Sequence, residues 1–264
     1  MRVPAPVGHD PAMGKLDGKV AIVTGAGQGV GRGIALALAA EGARTVVAGR
    51  TVSKCESVVE EITARGDTAI AVRCDTTVRA DVVACVARTL EEWGAIDVLV
   101  NNAQSQVYSS VGRMDEDDLE AMWQSGPVGA LRFMQECMPH LRTSKGCVVN
   151  LGSGSSITVP PALGGYAMVK ESMRVLTRVA AIEWGRYGVR VNTVCPLAES
   201  PGLEGFKADL PGAYEDEVIS KIPLLRMGDP EQDIGKPVAF LCGPDAAYIT
   251  GSTMMVDGGY SYMR

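Results

Sequence analysis

The chain has 264 residues, with 25 Lys and Arg against 31 Asp and Glu, for a formal net charge of −6. That length suits one α/β domain, and the acidic balance argues against a nucleic-acid or anionic-membrane surface. No apolar run reaches transmembrane length. The 7 cysteines are scattered without a C-x-x-C pair, which fits a reduced, cytoplasmic protein, and with 2 histidines no zinc-ligand spacing appears.

Residues 1–14 carry Pro4, Pro6, Gly8 and Pro11 and lack the apolar core of a signal peptide, so they read as a flexible tail before a single domain over 15–264. From there strand and helix signals alternate. Apolar runs at 19–24, 44–48, 68–74, 96–101, 146–152, 189–194 and 252–256 read as strands. Helical patterns lie near 30–41, 53–65, 79–93, 116–141, 165–187 and 230–241. Continuous apolar strands suit a parallel sheet covered on both faces. Alternating βα units predict a doubly wound, Rossmann-like α/β fold of about seven strands. The one long interruption, about 197–228, reads as a lid over a ligand, because long loops in compact domains are commonly binding elements.

Ligands of such sheets bind at the carboxyl ends of the strands. The first strand runs into Thr24-Gly25-Ala26-Gly27-Gln28-Gly29-Val30-Gly31, a glycine-rich turn that opens a helix. Such a turn brings backbone N–H groups close to a pyrophosphate, whose charge the helix N-terminus favours. Its spacing, T-G-x-x-x-G-x-G, differs from the usual G-x-G-x-x-G. Far downstream, Tyr166 and Lys170 stand at i, i+4 on one helix face, and Ser153 precedes Tyr166 by thirteen residues.

With Asn101-Asn102-Ala103 and Asp257-Gly258-Gly259 in the same order, these motifs resemble the short-chain dehydrogenase/reductase family, in its branch of about 250 residues. The resemblance spans about Gly18 to Gly259. It implies an oxidoreductase that moves a hydride between a nicotinamide cofactor and a ketone or secondary alcohol. Tyr166 would be the acid/base, Lys170 its electrostatic partner and ribose ligand, and Ser153 a donor to the substrate oxygen. A phenol working near pH 7 needs its pKa lowered by about 3 units, and Lys170 with an oxidised nicotinamide ring would supply this.

The same resemblance carries the cofactor residues. Thr24, Gly25, Gly27, Gln28, Gly29, Val30 and Gly31 would form the pyrophosphate turn. NAD-specific relatives carry an acidic residue at the end of the second strand; here Gly49 is followed by Arg50 and Thr51. A guanidinium binds a phosphate bidentately, so NADP(H) is expected, the alternative being a solvated Arg beside an NAD site. Ser53 and Lys54 read as phosphate contacts or as cap and surface residues. Asp75, followed by Thr76, is either an adenine contact or a turn residue. Asn102 would stabilise the sheet near the cofactor, Ala103 would pack on the adenosine side, and Pro196 would lie on the nicotinamide side.

Three departures stand out. Gln104 replaces a usual glycine; if that position needs a positive φ, Gln104 is strained there, and either the backbone differs or its side chain projects over the nicotinamide ribose or the substrate. The usual Asn of the long helix aligns with Gly126, followed by Pro127. We expect a kink there, with space and freed carbonyls for water in place of the amide that relays protons to Lys170. Cys195-Pro196-Leu197 replaces the usual Pro-Gly, and the Thr usual a few residues on is missing, with Ser200 a candidate substitute, so the contact to the nicotinamide carboxamide is open.

Leu203, Phe206, Leu210, Tyr214, Ile219, Ile222, Leu224, Leu225 and Met227 make the lid apolar at intervals. They suit a lipophilic carbonyl substrate or the packing of the lid itself. The resemblance also implies a homotetramer, or a homodimer, paired through the helices at 116–141 and 165–187 and through the last strand. The competing function is an NADP(H)-binding module with little turnover.

Overall fold

A computed structural model describes residues 14–200 and 218–261. The tail up to residue 13 and the central part of the lid stretch, with Leu203, Phe206, Leu210 and Tyr214, lie outside the described residues.

The strands are β1 (Val20–Thr24), β2 (Arg44–Gly49), β3 (Ala69–Arg73), β4 (Val98–Asn101), β5 (Cys147–Leu151), β6 (Arg190–Pro196) and β7 (Thr253–Val256). They form one seven-stranded sheet in the order β3-β2-β1-β4-β5-β6-β7. Every neighbouring pair is parallel. The helices are α1 (Gly29–Ala40), α2 (Val52–Ala64), α3 (Arg79–Trp93), α4 (Glu116–Trp123), α5 (Gly129–Ser144), α6 (Ser155–Thr158), α7 (Gly164–Trp184) and α8 (Lys236–Cys242).

Side chains alternate across the pleat, so each strand feeds two cores. Ala21 and Val23 of β1 join Ile34, Leu38 and Val238 on one face. Ile22 between them joins Leu99, Phe133, Met134 and Val148 on the other. This double burial is why the central strands are apolar throughout.

A buried polar thread crosses the second face. Asn101 Nδ2 donates to Asn150 Oδ1 (2.8 Å), and Asn150 Nδ2 donates to Thr177 Oγ1 (2.9 Å). Thr193 Oγ1 completes it, 2.8 Å from Thr177 Oγ1. It joins β4, β5, α7 and β6.

The long helix expected at 116–141 is divided. Between α4 and α5 the backbone widens into a π-helical stretch, Gln124–Val128, with Pro127 inside it. Proline has no N–H to give the preceding turn, and its ring crowds the carbonyl four residues back. Side chains take the carbonyls left over. Ser125 Oγ donates to Ala121 O (2.8 Å), and Gln104 Nε2 donates to Met122 O (2.9 Å).

Candidate active site

The carboxyl ends of β1, β2, β4, β5 and β6 open onto one cleft of about 710 Å³. Gly25, Gly27, Gln28, Gly29, Val30 and Gly31 form one end, and Ser153, Tyr166, Lys170 and Pro196 the other. Arg50, Thr51, Asp75, Thr76, Asn102 and Ala103 also line it, as do Lys54, Gln104 and Ser200. Thr24 does not line it. Its hydroxyl accepts the N–H groups of Asn102 (3.0 Å) and Ala103 (3.1 Å), tying the end of β1 to the end of β4 beneath the cleft floor.

The glycine turn is built for close approach. Gly25 takes φ +63°, and a Cβ on Gly31 would overlap Asn102 Nδ2 and Gly25 O. Asn102 Nδ2 holds the turn by donating to Thr24 O (2.9 Å) and Gly25 O (3.1 Å). With these carbonyls held and α1 starting at Gly29, the helix N-terminus opens onto a glycine-lined cradle. That cradle fits the pyrophosphate of a dinucleotide.

At the far end of the turn, Lys54 Nζ bonds Gln28 Oε1, placing an ammonium in the cleft that exposed Arg50 also lines. A Cβ on Gly49 would stand 2.9 Å from Cys55 Sγ, so the buried thiol occupies the space a longer residue 49 would need. Asp75 is a turn residue as well as a cleft residue: Oδ1 accepts Thr77 N (2.9 Å) and Thr77 Oγ1 (2.8 Å). Burial pushes its carboxyl up, but those two bonds, with Arg50 and Arg73 nearby, outweigh it and hold the carboxyl below its ordinary value.

At the reacting end, β5 delivers Ser153 two residues past its last residue, and α7 delivers Tyr166 and Lys170 from its first turns. Lys170 Nζ donates to Leu151 O (2.8 Å) and lies 5.6 Å from the centre of the Tyr166 ring. Burial lowers the Lys170 amine to about 8. Tyr166 departs from the sequence expectation: burial pushes its phenol up to about 12, and the nearby Ser153 hydroxyl pulls the other way without prevailing. In the protein by itself, desolvation of the phenolate prevails. Cys195 is buried behind Gly152, and burial raises its thiol to about 11.

The departures at Gln104 and Gly126 answer one another. Gln104 is not among the non-glycine residues with positive φ, so the strain expected there is absent. Its side chain folds back against the π-helical stretch, and a Cβ on Gly126 would overlap Gln104 Oε1. Nε2 is held by Ser105 O (2.8 Å) and Met122 O (2.9 Å). The space expected for water beside Gly126 is therefore filled by a carboxamide, and the Ala121 and Met122 carbonyls already have side-chain donors. In the sequence each departure stands alone, and only the fold brings the two residues together.

Among the described residues no group of three or more His, Cys, Asp or Glu is placed to hold a metal ion. No described helix is long and apolar enough to cross a membrane.

Comparison with known proteins agrees with this geometry. A family model described as Enoyl-(Acyl carrier protein) reductase matches residues 25–261. The chain is 39% identical over 255 residues to a 12alpha-hydroxysteroid dehydrogenase of a Clostridium species, covering 94% of this chain and 98% of that protein. It is 36% identical over 249 residues to the 3-oxoacyl-[acyl-carrier-protein] reductase FabG of Staphylococcus aureus, covering 91% and 97%. A crystal structure from Sinorhizobium meliloti, described as a short-chain alcohol dehydrogenase, superposes with a TM-score of 0.87 at 33% identity, covering 93% and 97%. The chain belongs to the short-chain dehydrogenase/reductase family, nicotinamide-dependent oxidoreductases acting on alcohol and ketone groups.

Proposed function

We propose that the protein is an NADP(H)-dependent reductase of lipophilic ketones, or dehydrogenase of the corresponding secondary alcohols. The observation that carries the reaction is the meeting of Ser153, Tyr166 and Lys170 in one cleft with the glycine cradle. When bound, the cofactor supplies or accepts the hydride. The chain's own groups manage the proton and the oxygen. Tyr166 gives its proton to the carbonyl oxygen in reduction and takes it back in oxidation. Ser153 donates to the same oxygen as negative charge develops. Lys170 presents an ammonium toward the phenol and the ribose.

For NADP(H) over NAD(H), the support is Arg50 and Lys54 beside Gly49, with no carboxylate on residue 49 to repel a phosphate. For an apolar substrate, the support is the lid composition and the relatives named for steroid and oxoacyl chemistry. The deciding experiment follows NADPH and NADH oxidation with steroid ketones, 3-oxoacyl thioesters and small apolar ketones, using Tyr166→Phe as control. Wild-type turnover with NADPH that the variant lacks is expected. Absence of turnover with tight NADPH binding would favour the alternative, a cofactor-binding module, which the loss of an amide at Gly126 supports.

The proposal includes a homo-oligomer in a reducing, cytoplasmic setting. Met168, Val175, Val179 and Ile182 form an exposed apolar stripe along α7, with Ile182 82% exposed. A second copy would cover it. All 7 cysteines are free. Light scattering at micromolar concentration tests the assembly, a monomeric mass being the outcome that refutes it.

A further inference from the structure

We infer that Ser155 is a positioning residue for Ser153, an assignment that rests on reading Ser153, Tyr166 and Lys170 as the reacting set. A serine hydroxyl has one proton to give and two lone pairs that accept. For Ser153 to donate to a reacting oxygen, that proton must not be spent elsewhere. Ser155 meets Ser153 Oγ twice: its backbone N–H donates from 3.2 Å, and its own Oγ lies 2.8 Å away.

The hydroxyl pair could run in either direction, and the surroundings choose between them. Ser155 Oγ has no other hydrogen-bond partner among the described residues. If Ser153 donated to Ser155, the half-buried Ser155 proton would have only solvent to turn to, and Ser153 would have no proton left for Tyr166. If Ser155 donates to Ser153, both Ser153 lone pairs are filled. Its single proton is then left for the cleft that Tyr166 also lines, where the nearby Ser153 hydroxyl acts to lower the phenol. Chained hydroxyls also polarise one another, so a Ser153 that accepts from Ser155 is the better donor.

Local structure holds the arrangement. Ser155 opens α6, and Ser156 Oγ donates to Ser153 O (2.9 Å). The backbone and the hydroxyl of Ser153 are thus gripped by the same helical turn. Sequence alone gives no reason to separate Ser155 from its neighbour Ser156.

The test uses the full chain with NADPH and the ketone turned over fastest in the screen above. Ser155→Ala keeps the N–H and removes the hydroxyl donor. Loss of one neutral hydrogen bond predicts kcat lower by about 2- to 12-fold. NADPH affinity and melting temperature should stay at wild-type values. The alkaline limb of alcohol oxidation should move to higher pH, because the Ser153 donor to the phenolate is weaker. Ser155→Thr, which restores the hydroxyl, should restore both kcat and the limb. Ser155→Cys, a weaker donor of similar shape, should fall between, and it carries the test if Ser155→Ala does not fold. Wild-type kcat and pH profile in Ser155→Ala, or a loss that Ser155→Thr does not recover, would overturn the assignment. Turnover retained by Tyr166→Phe on the same ketone would instead overturn the reading beneath it.

Discussion

The Gln104 carboxamide occupies the volume that a side chain on residue 126 would take. The two positions lie on different elements, one after β4 and one in the π-helical stretch, so the match is tertiary rather than local. Gly126→Asn alone should overpack this space and destabilise the fold by about 1–3 kcal/mol. Gln104→Gly with Gly126→Asn should recover most of that loss. Denaturant unfolding of the two single variants and the double variant gives the coupling directly, and additive losses would show that the two residues do not share the space.

Tyr166→Phe should bind NADPH as the wild type does and lose most turnover, since only the transferable proton is removed. The raised phenol, about 12 in the protein alone, sets the pH behaviour. A neutral phenol is the acid that reduction needs, so reduction should be level across neutral pH. Oxidation needs the phenolate and should climb as pH rises. Initial rates in both directions between neutral and alkaline pH check this, and an oxidation rate that falls with rising pH would contradict it.

Arg50→Ala should weaken NADPH by about 10- to 150-fold, toward the lower end because the guanidinium is exposed and screened. NADH affinity should hardly change. Cofactor titration by fluorescence separates the two, and equal losses would remove Arg50 from the phosphate site. Gly49→Asp should gain NADH affinity only when Cys55 is also shortened to Ala, because Sγ stands where the new side chain begins.

Lys170 places a cost on the fold that its chemistry explains. Its amine is lowered from 10.5 to about 8 by burial. The folded state therefore holds fewer protons than the unfolded chain between those values, and stability should rise with pH across that window. Below about 8 both states are protonated and the whole cost is present. Lys170→Met should accordingly be more stable than wild type at pH 7, by on the order of 3 kcal/mol less the lost bond to Leu151 O, and inactive. Melting temperatures from pH 7 to 11 should show the advantage shrinking as pH rises.

The strands and the cleft could be read in the sequence because each depends on local pattern. Apolar runs such as Val20–Thr24 have one reading when helices alternate with them, and a glycine turn at a strand end has one place in a doubly wound sheet. The π-helical stretch was half legible: Gly126-Pro127 marks a break, but an inserted residue widens a turn without erasing the apolar face on either side. The destination of Gln104 was not legible, because it depends on space left by a residue in another element. The direction of the Tyr166 shift was not legible either. It is the outcome of burial against the Ser153 hydroxyl, and a motif shows the hydroxyl without the burial.

The buried thread Asn101–Asn150–Thr177–Thr193 has a consequence for the reaction. Ser153 rides on β5, which carries Asn150, and Tyr166 and Lys170 ride on α7, which carries Thr177. A slip of β5 by one residue would turn Asn150 to the opposite face, strand the Asn101 amide in apolar surroundings and take from Thr177 one of its two partners. The thread is thus a common datum from which strand and helix are both measured. The hydroxyl, the phenol and the ammonium inherit their alignment from amide groups that never meet the substrate.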